Sequence, residues 1–362
     1  MRVRHGAAIA DTETADVAIV GGRILTGLRD VTSDLSALDG TGTWAVVLPF
    51  GGPPVCARFE RMITPELGWP AGLGPEWVRR RAPVARVTGW ESSLDRQTYA
   101  KGVAAIREAI AAGDVYQVNL CRRLSAPLPD GFDLFALGAA LFTTHPAPHQ
   151  ALVRLSGAGV ALASASPERF LRRRGDVVES SPIKGTAVTA AGLTAKDRAE
   201  NVMIVDLVRN DLGRVCRYGS IEVPALWLVE AQPGLVHLVS TVRGRLRPGT
   251  GWADLLDATF PPGSVTGAPK LAALEVIAAL EPVPRGFYCG AVGWVDADRC
   301  EGDLNVAIRT FWATDGELHL GVGAGITWDS DPVAEWEETE LKARQLLAVA
   351  GGRVPLATGA AP

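Results

Sequence analysis

The sequence predicts a mixed fold of the α/β or α+β class, and three observations predict it. Short apolar, strand-like runs bounded by Gly and Pro recur along most of the chain. Between them lie segments with apolar residues at helical spacing and capping residues at their ends. Strand and helix signals interleave without regular βα units and without an internal repeat. At 362 residues, 47% hydrophobic and 21% charged, the chain has the composition of a globular protein with a substantial buried core.

The first 60 or so residues read as strands broken by turns: Val17–Val20 before Gly21-Gly22, and Trp44–Leu48 before Pro49 and Gly51-Gly-Pro-Pro54. From Pro65 to Trp90 the raised Gly, Pro and Arg content suits a connector. A helix is expected from about Asp95 to Ala112, with Val103, Ile106 and Ile110 on one face and Gly113 as its stop. The run Val115-Tyr-Gln-Val-Asn-Leu120 alternates like a strand, and a helix holding Phe132, Leu134 and Leu141 follows. Strand signals return at Ala151–Leu155 and Val160–Ala163. Thr194 with Asp197 three residues on has capping-box spacing and opens a helix that fades toward Gly213. Asp331-Pro332, an N-cap followed by proline at the first helical position, opens the last helix, which ends at Gly351-Gly352.

A net charge of −4 leaves no global basic field for nucleic acid or an anionic membrane, so any anionic ligand must be met by local cations. The five cysteines are odd in number and scattered, without a Cys-x-x-Cys pair. Buried free thiols in a reducing cytoplasm are expected, not a disulfide framework or a zinc site. The N-terminus meets Asp11, Glu13 and Asp16 too early for a signal peptide, and no run approaches the roughly 18 apolar residues of a membrane helix. No Gly-x-Gly-x-x-Gly or Walker A motif supports nucleotide binding.

Several residues have both a bland and a chemical reading. Glu168, in Ser164-Ala-Ser-Pro-Glu-Arg-Phe170, follows a proline-kinked strand end and is by surface preference a solvated turn residue or, alternatively, an acid. Lys184, between Ile183 and Gly185, is placed where partial desolvation favours the neutral amine that a nucleophile needs. Asp197 and Glu200 share one helix face, and Glu335, Glu338 and Lys342 share another. Early acidic residues suit a helix dipole, but two carboxylates converging from separate helices require a cation, and oxygen-only sites suit magnesium. The Gly321-Val-Gly-Ala-Gly-Ile326 stretch admits either close backbone approach to an anion or close strand packing. Arg309 ends an alternating strand and can fork onto a carboxylate, while His237 lies in an apolar strand that also suits a core histidine.

Taken in order, Asp114-Val-Tyr-Gln-Val-Asn-Leu120, Ser166-Pro-Glu-Arg-Phe170, Pro182-Ile-Lys-Gly-Thr186, Asp197 through Gly213, His237–Thr241, Gly263-Ser-Val-Thr-Gly-Ala-Pro-Lys270, Tyr288–Gly293, Ile308–Thr310, Gly323–Ile326 and Glu337–Thr339 resemble the chorismate-utilising enzymes. The resemblance covers roughly residues 90 to 350 and implies an α+β fold of two large antiparallel sheets packed as a sandwich with helices outside. Residues 1–88 are then an N-terminal β-rich portion of the same compact fold, and 89–355 the chorismate-binding catalytic region. It further implies that Glu200 and Glu338, with Asp197 nearby, bind Mg2+, which holds the ring carboxylate. Arg309 and the backbone of Gly323, Ala324 and Gly325 are implied to hold the substrate's carboxylates, with Tyr288, Lys342, Thr186, Ser264 and Gln117 also at the substrate and His237 in the catalytic group.

Within that family the resemblance is greatest to the aminodeoxychorismate synthase branch, because Lys184 stands where anthranilate and salicylate synthases carry alanine. It implies that Lys184 attacks ring C2 while Glu168, as general acid, assists departure of the C4 hydroxyl. Gln117 replaces the lysine that activates water in isochorismate and salicylate synthases, and Ser264 also matches the branch. The run His145-Pro-Ala-Pro-His149 departs from the Asn-Pro-Ser-Pro-Tyr of aminating members, and the N-terminal region lacks a Leu-x-Glu-Ser pattern, so tryptophan inhibition is not expected. No Gly-x-Cys-x-Gly nucleophile is present, so ammonia is expected from a separate glutamine amidotransferase. Amination at C2, giving anthranilate or 2-amino-2-deoxyisochorismate, and a non-catalytic chorismate-binding subunit are the rival expectations.

Overall fold

The computed structural model describes residues 16–64, 84–232 and 235–352. The first fifteen residues and most of the connector expected between Pro65 and Trp90 lie outside them. Runs rich in β-branched and aromatic residues form strands that pair antiparallel throughout the described residues. The hydrogen-bonded order begins at Glu222–Gln232 and passes through Leu235–Arg245, Val177–Ser181, Arg169–Arg174, Glu301–Val306 and Gly286–Asp296. It continues through Thr43–Phe50, Val55–Ile63, Arg23–Thr32, Val17–Val20 and His149–Leu155. It ends through Val160–Ser166, Thr310–Thr314 and Glu317–Ile326 at Gln117–Pro127. The α+β class and the antiparallel pairing hold, and hydrogen bonds join the sheets into one curled ribbon. The N-terminal strands lie in the middle of this order, between Gly286–Asp296 and His149–Leu155.

Strand Ile183–Ala187 pairs at one end of the ribbon, against Leu235–Arg245. At the other end, Gln117–Pro127 carries the two-residue strands Glu91–Ser92 and Gly267–Ala268 on its far side. The curl brings these ends together: an ideal Cβ on Gly325 would lie 2.6 Å from Gln117 Nε2 and 3.3 Å from Lys184 Nζ. That junction positions the site.

The helices start and stop where local chemistry directs. Asp95 accepts from Thr98 N to open Arg96–Ala112, and Gly113, in the left-handed region at φ 85°, closes it. Thr194 and Asp197 form a reciprocal capping box on Ala195–Gly213. Asp331 accepts from Val333 N and Ala334 N to open Pro332–Val349. Two further helices, Trp252–Thr259 and Lys270–Leu280, follow Gly251 and Pro269 and lack a side-chain N-cap, the signal by which the others were legible. Val103 and Ile106 of the first helix and Trp336 of the last share one buried cluster with Val118, Leu120 and Ile326 of the sheet. Tyr99 and Trp336 meet there edge to face at 5.6 Å.

The glycine-rich stretch takes the strand-packing alternative, because strand Glu317–Ile326 runs through it in continuous register with Pro127–Val118. Two expectations are corrected. Arg309 does not end a strand. It sits between strands Glu301–Val306 and Thr310–Thr314 with φ 51°. Cys300 is exposed, and only Cys56, Cys121, Cys216 and Cys289 are buried free thiols. Among the described residues, no helix is long and apolar enough to cross a membrane.

Candidate active site

Lys184 projects from a short strand, and its side chain is 14% exposed. Its Nζ lies 4.0 Å from Glu200 Oε2, a distance of attraction without a hydrogen bond. Burial pushes its pKa below the ordinary lysine range. Glu200, Glu168 and Glu338 pull it back up, while Lys342 pushes with burial. Gly185, next in the chain, has φ 82° and allows Asp197 to pack on it, since a Cβ there would stand 2.8 Å from Asp197 Cβ. Asp197 Oδ2 is taken up by the Thr194 backbone and hydroxyl.

Glu168 is not the solvated turn residue its sequence setting favours. The Ser166-Pro-Glu bend turns it inward, where it is buried. Burial raises its pKa to about 7, against the lowering effects of a Ser264 hydrogen bond, the Lys184 charge and the Ile183 backbone. A carboxyl that keeps its proton near neutrality beside an amine that loses its proton easily is an acid–nucleophile pair. Ser264 is itself held from below, because Asn119 Nδ2 donates to its carbonyl at 2.7 Å.

Gln117 is fully buried, and neither its Nε2 nor its Oε1 has a hydrogen-bond partner among the described residues. An amide buried in that state implies a ligand or solvent group in contact with it. The empty α-face of Gly325 lies under it, ringed by Gln117 Nε2, Asn119 Oδ1 and Lys184 Nζ. His237 Nδ1 bonds Thr186 Oγ1 at 2.9 Å. Its Nε2 is buried without a well-formed bond, a weak contact to the Gly185 backbone aside. Burial first, and then the Arg309 charge, lower the His237 pKa to about 4, so the ring is neutral at pH 7. Desolvation lowers the Arg309 pKa, and among the described residues no carboxylate offsets it. A half-buried guanidinium in that condition is ready for an anionic ligand.

Glu338 is 51% exposed on the last helix and pairs with Lys342 at 2.5 Å. Lys342 Nζ also donates to the Gly323 carbonyl at 3.0 Å, which places this pair over the glycine strand. Glu200 is shared between Lys184 and Lys196. No group of three or more His, Cys, Asp or Glu side chains stands at metal-binding separation among the described residues. Glu200 and Glu338 are oxygen donors from two helices whose charges both act on Lys184. That donor chemistry suits magnesium, which keeps waters and takes few protein ligands.

Lys184, Glu168, Glu200, Glu338, Lys342, Gln117, Ser264, Thr186, His237, Arg309 and Gly325 are thus linked through contacts or mutual charge. Tyr288 stands apart: it packs on Gly321, where a Cβ would lie 2.0 Å from its ring, and its titratable surroundings are Cys289, Cys121, Arg285 and Glu281. Gly323 faces Cys121 across the strand pair, with Ala324 buried on the other side. Asn119 was not among the expected site residues. Its signal was the period of two that places it on the same face as Gln117.

A family model described as chorismate binding enzyme matches residues 75–348. Among curated relatives, anthranilate synthase component 1 of Streptomyces coelicolor is 43% identical over 272 residues, covering 72% of this chain and 52% of the relative. Aminodeoxychorismate synthase component 1 of Klebsiella aerogenes is 40% identical over 289 residues, covering 75% of this chain and 63% of the relative. The chain therefore spans between about half and two thirds of the length of these relatives. The solved anthranilate synthase component I of Streptococcus pneumoniae superposes with a TM-score of 0.72 at 25% identity, covering 96% of this chain and 95% of that one. Because that family model matches well over half of the sequence, this chain belongs to the chorismate binding enzyme family.

Proposed function

We propose that this site aminates chorismate at C4, giving 4-amino-4-deoxychorismate and water on the way to 4-aminobenzoate and folate. The carrying observation is the buried Lys184 amine, acidified by burial, in the field of a Glu168 carboxyl that holds its proton to about pH 7. Lys184 forms a bond to ring C2, both ring double bonds shift by one position, and the C4–O bond breaks as Glu168 gives its proton to the departing oxygen. Ammonia then bonds C4, both double bonds shift back, and the C2–N bond breaks to release Lys184. The proton shed by the new amine returns to the Glu168 carboxylate, which balances the cycle.

Arg309, with no carboxylate partner among the described residues, suits one substrate carboxylate, and the neutral His237 ring and Gln117 amide offer buried hydrogen bonds to the ring substituents. Glu200 and Glu338 would hold Mg2+, with Asp197 beside them. When bound, the metal neutralises a substrate carboxylate. Ammonia is supplied by a separate glutamine amidotransferase, and the reaction belongs to the cytoplasm.

The curated relatives divide between anthranilate and aminodeoxychorismate synthases at similar identity, so Lys184 bears the distinction. Incubation with chorismate, Mg2+ and ammonium should give the 4-amino product by chromatography, and Lys184→Ala should abolish it. Undiminished 4-amino product from Lys184→Ala would remove the nucleophile. Anthranilate or 2-amino-2-deoxyisochorismate as the wild-type product would move the reaction to C2. Chorismate bound but not consumed under any ammonia supply would make the chain a binding subunit.

A further inference from the structure

Asn119 is the cross-strand partner of Gly325, so the two residues point to the same face of the sheet. Because Gly325 has no side chain, the space above it is open to Asn119 Oδ1, which lies 2.9 Å from where a Cβ would be. Lys184 Nζ reaches to 3.3 Å from that same point. Asn119 is buried, and every other polar group it carries is committed. Its N–H donates to Thr266 O at 2.7 Å, and its carbonyl accepts from Arg285 at 2.9 Å. Its Nδ2 donates to Ser264 O at 2.7 Å.

The last contact fixes the amide's orientation by chemistry. A backbone carbonyl only accepts, so Nδ2 faces Ser264 and Oδ1 must face the Gly325 niche. A neutral lysine amine carries two N–H donors and one lone pair. An acceptor on one N–H restricts rotation of the amine and aims the lone pair elsewhere.

We propose that Asn119 is a positioning residue that joins the two halves of the reaction: Oδ1 accepts an N–H of the attacking Lys184 amine, while Nδ2 anchors the Ser264 segment whose hydroxyl bonds Glu168. The proposal rests on Lys184 acting as the nucleophile. It ties the distance between nucleophile and acid to one rigid amide.

Steady-state kinetics with chorismate, Mg2+ and ammonium test it, with circular dichroism melts as the check on folding. Asn119→Leu keeps the size and removes both polar contacts. It should lower kcat about tenfold or more while leaving KM for chorismate within about twofold. Asn119→Asp should recover most of that loss: its protonated oxygen can donate to Ser264 O, and its other oxygen still faces Lys184. If Asn119→Leu does not fold, Asn119→Ala takes its place, with the same expected split. Wild-type kcat in the folded variant, a loss residing in KM, or Asn119→Asp no better than Asn119→Leu would overturn the proposal. Lys184→Ala keeps the two questions apart. If that variant is inactive and Asn119→Leu is fully active, only the positioning role fails; if Lys184→Ala retains C4 amination, the functional reading fails first.

Discussion

Lys184 Nζ stands 4.0 Å from Glu200 Oε2, close enough for attraction and too far for a hydrogen bond. The lysine is thus held near a carboxylate without being locked to it, and its charge is only partly compensated in a buried setting. Glu200 and Lys184 come from a helix and a strand joined by the Gly185–Asp197 contact, so the pair is sensitive to both elements.

Replacing Glu200 or Glu338 by Gln should raise the magnesium concentration needed for half-maximal activity. Neither change should unfold the protein, because Glu338 is half exposed and its pair with Lys342 is a surface ion pair worth at most about 1 kcal/mol. Magnesium titrations of activity alongside thermal melts check this. Unchanged dependence in both variants would remove them from the ligand set.

Glu168→Gln should abolish or severely reduce turnover and yet stabilise the fold at alkaline pH. The Glu168 pKa rises from 4.5 to about 7 on folding. Its contribution to stability is therefore fully present below pH 4.5 and is lost as pH rises through about 7. That loss is on the order of 3 kcal/mol between the two limits. Gln carries no charge at any pH, so the difference between wild-type and Glu168→Gln unfolding free energies should change across that window and flatten outside it. Denaturant titrations at pH 4 through 8 measure it; a pH-independent difference would place Glu168 in a solvated setting.

Gly325→Ala should fold and lose activity. The added methyl would meet Asn119 Oδ1 at 2.9 Å, and also Gln117 Nε2 at 2.6 Å and Lys184 Nζ at 3.3 Å, the last two being ends of side chains that can shift. Displacement near 1 Å at reacting groups costs up to about a hundredfold in rate, whereas the melting temperature should change little. A variant with normal kcat would show that the niche over Gly325 is not occupied during the reaction.

Glutamine-dependent activity should appear only when an amidotransferase is added, while ammonium at alkaline pH should support the chain by itself, since only neutral ammonia is nucleophilic. Activity of the purified chain with glutamine alone would contradict the proposed division of labour.

Local chemistry determined much of this protein. Asp95 and Gly113, Thr194 and Asp197, and Asp331 and Pro332 set three helices from contacts within one turn, so they were legible as letters. The motif residues Lys184, Glu168, Glu200 and Glu338 were equally visible, because their wording survives without coordinates. Tertiary structure alone decided that Glu168 is buried and that Arg309 is turned into the left-handed region between two strands. It also decided that Tyr288 packs against Gly321 with no titratable neighbour from the Lys184 group. Only the curl of the sheet, which brings Ile183–Ala187 to the strands of Gln117 and Gly325, could place Asn119 at the junction of nucleophile and acid. Propensity and capping act between near neighbours in sequence, whereas the Asn119–Ser264 contact joins residues 145 positions apart. Burial and convergence of that range are properties of the closed sheet, and no local pattern encodes them.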